Sequence, residues 1–259
     1  MLTLSGKVDH WKHICLLPMI RFLKALRTAW QRYRVIHISD EYTTWLSYTN
    51  AGFLEPGNLY CFDFVMRNLP HDSPLLEIGT FCGFSANLIT YYKALYGRPN
   101  LLITVDPWQF GDIGDRLRTQ FPENQQISKA QVRQFVKESY QRNIMFFSDF
   151  DLPYTIEQPS DEFFNGWAEG NSVKDILGRS ITLGGTISFA YIDGNHTYEQ
   201  TYRDFLNCDR ILVPGGFILF DDSADGSGWE VCDVVKQVLK HPNYDLIIKN
   251  PNYLFMKRR

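Results

Sequence analysis

Five acidic side chains stand where apolar runs end: Glu77 after Leu75-Leu76, Asp106 after Leu101–Val105, Asp193 after Ile187–Ile192, and Asp221-Asp222 after Phe217–Phe220. Carboxylates are hard oxygen donors and strong acceptors, so such a set can bind a diol or gather around a divalent cation. A single acid after a strand is usually a helix cap. Acids recurring at successive strand ends point instead to a ligand site. His196 lies three residues beyond Asp193, in Asp193-Gly194-Asn195-His196. A neutral imidazole there can take a hydroxyl proton near pH 7; equally, it can cap the helix that follows.

The residues after Glu77 specify a close approach of backbone to ligand. Leu75 to Ser85 is an apolar run that stops at Glu77, turns through Gly79 and Gly83 and then becomes helical. Glycines at such a turn let backbone amides and a helix N-terminus meet a ligand. The turn is not the G-x-G-x-x-G of a dinucleotide fold, because Phe81 occupies the middle glycine position.

Alternating segments must carry these residues. Leu75–Ile78, Leu101–Val105, Ile187–Ile192 and Phe217–Phe220 read as strands, and Phe84–Tyr96, Lys129–Arg142, Thr197–Leu206 and Trp229–Lys240 as helices. A further helix is expected over Asn58–Arg67 and a short one over Ser172–Leu177. Alternating βαβ units imply a parallel sheet covered on both faces. Tyr244–Ile248 and Tyr253–Met256 are too close in sequence for a crossover helix and must form an antiparallel hairpin. Trp108 to Lys129 and residues 143–164 carry little periodicity and are expected to form a substrate-covering insertion around residues 108–164.

The chain has 259 residues, 44% hydrophobic and 15% aromatic, enough for one large core. Five cysteines without a C-x-x-C pair suggest neither a disulfide framework nor a zinc site and fit a reducing cytoplasm. No apolar segment approaches the roughly 20 residues needed to cross a bilayer. Net charge is −3, yet residues 1–39 carry seven basic side chains against Asp9 alone, 7 − 1 = +6, leaving −3 − 6 = −9 elsewhere. The body holding the proposed site is acidic, which argues against nucleic-acid binding. Leu16, Met19, Leu23, Leu26 and Trp30 form the apolar stripe of a cationic helix in this arm, expected over residues 1–55. Its stripe would pack on the main domain or on a second copy in a homo-oligomer; a peripheral contact with an anionic membrane is the other use of such a helix.

Glu77-Ile78-Gly79-Thr80-Phe81-Cys82-Gly83-Phe84-Ser85-Ala86 resembles the first S-adenosylmethionine (SAM) motif of class I methyltransferases, most closely its form in catechol O-methyltransferase. Tyr191 to Tyr198, followed by Pro214-Gly215-Gly216 and Phe220-Asp221-Asp222, closely resembles the metal-dependent O-methyltransferases, including the sugar O-methyltransferases of antibiotic biosynthesis. The resemblance covers roughly residues 70–257. It implies a doubly wound, mostly parallel seven-stranded α/β sheet of Rossmann-like type over residues 56–259, ending in an antiparallel hairpin. It implies SAM contacts from Glu77, Gly79, Phe81, Ser85, Asp106 and Asp193. Ala168-Glu169-Gly170-Asn171-Ser172 resembles the adenine-contacting segment, which adds Asn171 and Ser172. Asp193, Asp221 and Asp222 would bind Mg²⁺ or Mn²⁺. His196, where catechol O-methyltransferase carries a lysine, would be the base, and the acceptor would be a hydroxyl of a small molecule or sugar. Two rival readings share these motifs: a hydroxylase resembling cephalosporin hydroxylase, and a non-catalytic protein that keeps the fold for binding.

Overall fold

The computed structural model describes residues 35–109 and 127–259. Contacts divide the chain into two units, Met1–Ile36 and His37–Arg259. The cationic helix expected in the first unit, and most of the segment Trp108 to Lys129, lie outside the described residues. Residues 37–55, drawn from sequence as the end of the arm, fall within the larger unit.

That unit opens with α1 (Glu41–Thr49), started by a capping box. The Asp40 carboxylate accepts from Thr43 N–H at 2.7 Å and the Thr43 hydroxyl accepts from Asp40 N–H at 2.9 Å. α2 (Asn58–Asn68) follows Pro56-Gly57 and buries Phe62, Val65 and Met66. The sheet then begins with β1 (Leu75–Ile78), α3 (Phe84–Leu95) and β2 (Leu102–Val105). α4 (Lys129–Phe147) runs past the expected end at Arg142, because Val136, Tyr140, Ile144 and Phe147 keep one buried stripe to its last turn.

The stretch from Asn143 to Phe164 is more ordered than its sequence suggests. It holds the end of α4, the strand β3 (Tyr154–Ile156) and the start of α5 (Ser160–Glu169). β3 is only three residues long, too short to display an alternating pattern. The short helix expected over Ser172–Leu177 is replaced by a hairpin of β4 (Ser172–Lys174) and β5 (Ser180–Thr182). Asp175 organises its turn, accepting from Leu177 and Arg179 backbone N–H at 3.0 and 2.8 Å. β6 (Ile187–Ile192), α6 (Tyr198–Ile211), β7 (Leu212–Phe220) and α7 (Val231–Val238) continue the alternation, and β8 (Tyr244–Lys249) and β9 (Tyr253–Lys257) close it.

The seven-stranded sheet has the order β3-β2-β1-β6-β7-β9-β8. β1, β2, β3, β6 and β7 pair in parallel, whereas β9 is antiparallel to both neighbours, as the closing hairpin requires. Successive strand residues feed opposite faces: Leu75 and Phe189 join Phe62, Leu88 and Tyr140 on one side, while Leu76 and Ala190 join Phe205, Val234 and Phe255 on the other. The chain leaves β1 toward one edge and β6 toward the other. Between them is the switch point at which open α/β sheets open a ligand crevice. No helix among the described residues is long and apolar enough to cross a membrane.

Candidate active site

Gly79 leaves β1 at φ +85°, and a Cβ there would lie 2.0 Å from the backbone oxygen of Asp193. Only glycine allows the turn after β1 and the end of β6 to approach so closely. Phe81 and Gly83 also take positive φ, at 46° and 85°, so the loop curls tightly before α3. Gly83, the N-cap of α3, offers no side chain to the first N–H groups of that helix. They face the crevice with the partial positive charge of a helix start. Ala51–Leu54 line the same crevice together with Thr80, Phe81, Ser85 and Asp193. Gly52 makes this possible, since a Cβ on it would meet the Phe84 Cβ at 2.6 Å.

Two acids hold the loop from beneath. Asp106, 8% exposed, accepts through Oδ2 from Thr80 N–H at 2.8 Å and Phe81 N–H at 3.1 Å, and through Oδ1 from Trp108 N–H at 2.6 Å. Burial raises its pKa, opposed by these backbone hydrogen bonds. The carboxylate expected from sequence as a ligand acceptor therefore also braces the glycine turn. Glu77 is fully buried and accepts the Ser85 hydroxyl proton through Oε1, while its Oε2 has no hydrogen-bond partner. Burial pushes its carboxyl up to about 8, so at neutral pH it is largely protonated.

The second cluster lies one strand away. β1 and β6 are paired, β6 and β7 are paired, and Asp193 and Asp221 follow their ends directly. The Tyr191 hydroxyl donates to Asp193 Oδ2 at 3.3 Å, and burial with repulsion from Asp221 and Asp222 holds Asp193 well above the usual carboxylate range. Burial and the adjacent Asp222 push Asp221 up to about 7. Asp222 itself takes φ 50° and turns its carboxylate to His196, with Oδ2 3.4 Å from Nδ1. The imidazole packs on Trp229 with ring centroids 4.8 Å apart. Burial lowers the His196 pKa, opposed by Asp222, which favours the neutral ring that can accept a proton.

Asn171 and Ser172 are elsewhere. Both are exposed; Asn171 O accepts from Leu183 N–H at 2.9 Å, and the Ser172 hydroxyl pairs with Thr182 at 3.0 Å in the β4–β5 hairpin. That hairpin leads into the start of β6, away from the strand ends where Gly79 and Asp193 meet. α5 separates the segment from the end of β3.

The methyltransferase-domain family model matches residues 76–223, from β1 through the acidic pair after β7. The chain belongs to this methyltransferase family. Solved structures share the methyltransferase fold. TomG, an O-methyltransferase of Streptomyces achromogenes involved in tomaymycin synthesis and solved with SAM, is 11% identical over 91% of this chain and 96% of TomG, with a TM-score of 0.50. The methyltransferase PaMTH1 of Podospora anserina, bound to S-adenosylhomocysteine (SAH), is 13% identical over 100% of both chains, with a TM-score of 0.53. The calicheamicin methyltransferase CalS11 is 17% identical over 87% of this chain and 95% of its own, with a TM-score of 0.52. Likeness at these identities establishes the Rossmann-like fold. No curated protein matches the methyltransferase in sequence.

Two residues of the methyltransferase site carried no signal in the sequence. Asn58 Nδ2 and Asn252 Nδ2 both donate to Asp221 Oδ1, at 2.5 and 2.7 Å. One begins α2 and the other sits in the turn between β8 and β9, so no local pattern links either to Asp221.

Proposed function

We propose that this methyltransferase moves the methyl group of SAM to a hydroxyl of a small molecule or sugar, beside a divalent cation. The observation that carries the reading is the polar chain through Asn58 and Tyr191 that joins the half-buried Asp193 and the buried Asp221 carboxyls, set against the Gly79 turn. Neither makes an ion pair with Lys or Arg among the described residues. Two like carboxyls kept together at a ligand crevice are what a hard cation would neutralise. Among the described residues no three His, Cys, Asp or Glu side chains are gathered as a metal-holding group, since Asp222 is turned to His196. The donors nevertheless fit the ion in chemistry: Asp193 and Asp221 would hold it, with Asp222 the third carboxylate at hand. Bound there, Mg²⁺ or Mn²⁺ would supply positive charge that favours the ionised acceptor oxygen.

The other roles follow from the crevice. The α3 N-terminus suits the methionine carboxylate of SAM, Ser85 ties the start of α3 to Glu77, and Asp106 keeps the Gly79–Gly83 loop in shape while one face of Oδ1 remains for a ribose hydroxyl. His196 is the base for the acceptor hydroxyl, and the neutral Glu77 avoids a buried charge beneath the cofactor. Catalysis would consist mainly of holding acceptor oxygen and sulfonium methyl in line.

Incubation with methyl-labelled SAM and a panel of glycans, phenols and polyketides, with and without Mg²⁺, tests this reading. Methylation of a hydroxyl that stops on chelation is the expected result. Tight NAD binding without SAM binding in calorimetry would overturn it.

A further inference from the structure

We infer that Asn58 and Asn252 are positioning residues that aim Asp221 at the cation proposed above, a step that rests on the metal reading. Both side chains are fully buried, and each spends an amide proton on the same oxygen of Asp221. They are also bonded to one another, Asn252 Nδ2 donating to Asn58 Oδ1 at 3.1 Å. Asp221 is thereby held at Oδ1 from two sides, and Oδ2 is the edge on which neither amide acts. Asn252 also acts through its other end, where Oδ1 accepts from Ser223 N–H and Ala224 N–H, each at 3.0 Å. The loop that leaves the acidic pair is thus tied to the same side chain that orients the acid. Asn58 Nδ2 also stands 3.5 Å from the Tyr191 hydroxyl, which donates to Asp193 Oδ2 at 3.3 Å. One buried polar chain therefore links both carboxyls.

A purely structural role would require only that these amides be satisfied, and that can be done without converging on one carboxylate oxygen. Convergence fixes the plane of a ligand and lowers the cost of placing charge on it. Groups that hold a metal ligand in this way commonly affect metal affinity by about 10–100-fold.

The test uses the full-length protein, with Mn²⁺ as the probe and SAH affinity and the unfolding midpoint as controls. Wild type should bind Mn²⁺ in calorimetry and in the loss of the free-ion electron paramagnetic resonance signal. Asn58→Ala should weaken that binding about tenfold or more while changing SAH affinity less than twofold. If Asn58→Ala does not fold, Asn58→Ser keeps a polar group in the site and is expected to show the same selective loss. Normal Mn²⁺ binding by a folded Asn58 variant would overturn the positioning role and leave the metal reading standing. Wild type that binds SAH but no Mn²⁺ would overturn the metal reading and the positioning role together.

Discussion

The backbone oxygen of Asp193 stands 2.0 Å from where a Gly79 Cβ would be, so the cofactor turn and the acidic end of β6 are built as one unit. A side chain on Gly79 cannot be accommodated by a rotamer change, because the obstacle is backbone. Gly79→Ala should destabilise the fold by about 2–4 kcal/mol, combining left-handed strain with the forced separation of β1 and β6. SAH affinity should fall with it. A Gly79→Ala protein of wild-type unfolding midpoint and SAH affinity would contradict this coupling.

Asp106 presents a different balance. Replacing it by alanine strips acceptors from Thr80, Phe81 and Trp108 N–H groups in a buried loop. SAH binding should weaken by on the order of 1.5–3 kcal/mol, and the apo protein should lose stability too, since buried donors left unpaired are costly. Asp106→Asn retains an acceptor oxygen and should recover part of both. Loss of SAH affinity with unchanged apo stability would mean that Asp106 acts on the ligand alone.

Glu77 gives the apo protein a pH dependence of definite sign. Its folded pKa is raised from 4.5 to about 8, so its contribution is most favourable below pH 4.5 and declines as pH rises to about 8. At about 1.4 kcal/mol per pKa unit the full decline amounts to several kcal/mol. Glu77→Gln cannot ionise. In urea unfolding, the difference between Glu77→Gln and wild type should shift in favour of the variant between pH 5 and pH 8. A difference independent of pH would show that Glu77 ionises as readily in the fold as in the unfolded chain.

The acidic cluster and His196 separate binding from turnover. Asp193→Ala and chelation should each abolish methyl transfer, and SAH should still bind to the chelated protein through the Gly79 loop and α3. His196→Ala should leave SAH affinity unchanged and lower the maximal rate by about 10²–10⁴, the usual range for a positioned base. Full rate in His196→Ala, measured with the acceptor identified from the panel, would assign the ring to packing on Trp229.

Much of this protein was decided locally and could be read along the chain. The glycine turn after Glu77, the acids late in β1 and just after β2, β6 and β7, and the closing hairpin all rest on apolar runs and turn residues a few positions apart. Short elements escaped for the same reason: β3 and the β4–β5 hairpin span three residues per strand, and α5 follows β3 with little space for a pattern. The family likeness placed Asn171 and Ser172 by order, and order alone could not show that α5 precedes them and that Ser172 lies in a hairpin. Only the tertiary structure turned Asp106, expected to face a ligand, onto the Thr80–Phe81 loop, and Asp222 onto His196. It alone brought Asn58 and Asn252 to Asp221, across 163 and 31 residues of chain. Hydrogen bonds between side chains so distant in sequence leave no period or spacing behind. They exist because packing α2 and the β8–β9 turn against the sheet delivers two amides to one buried carboxylate, where an unpaired charge would be costly.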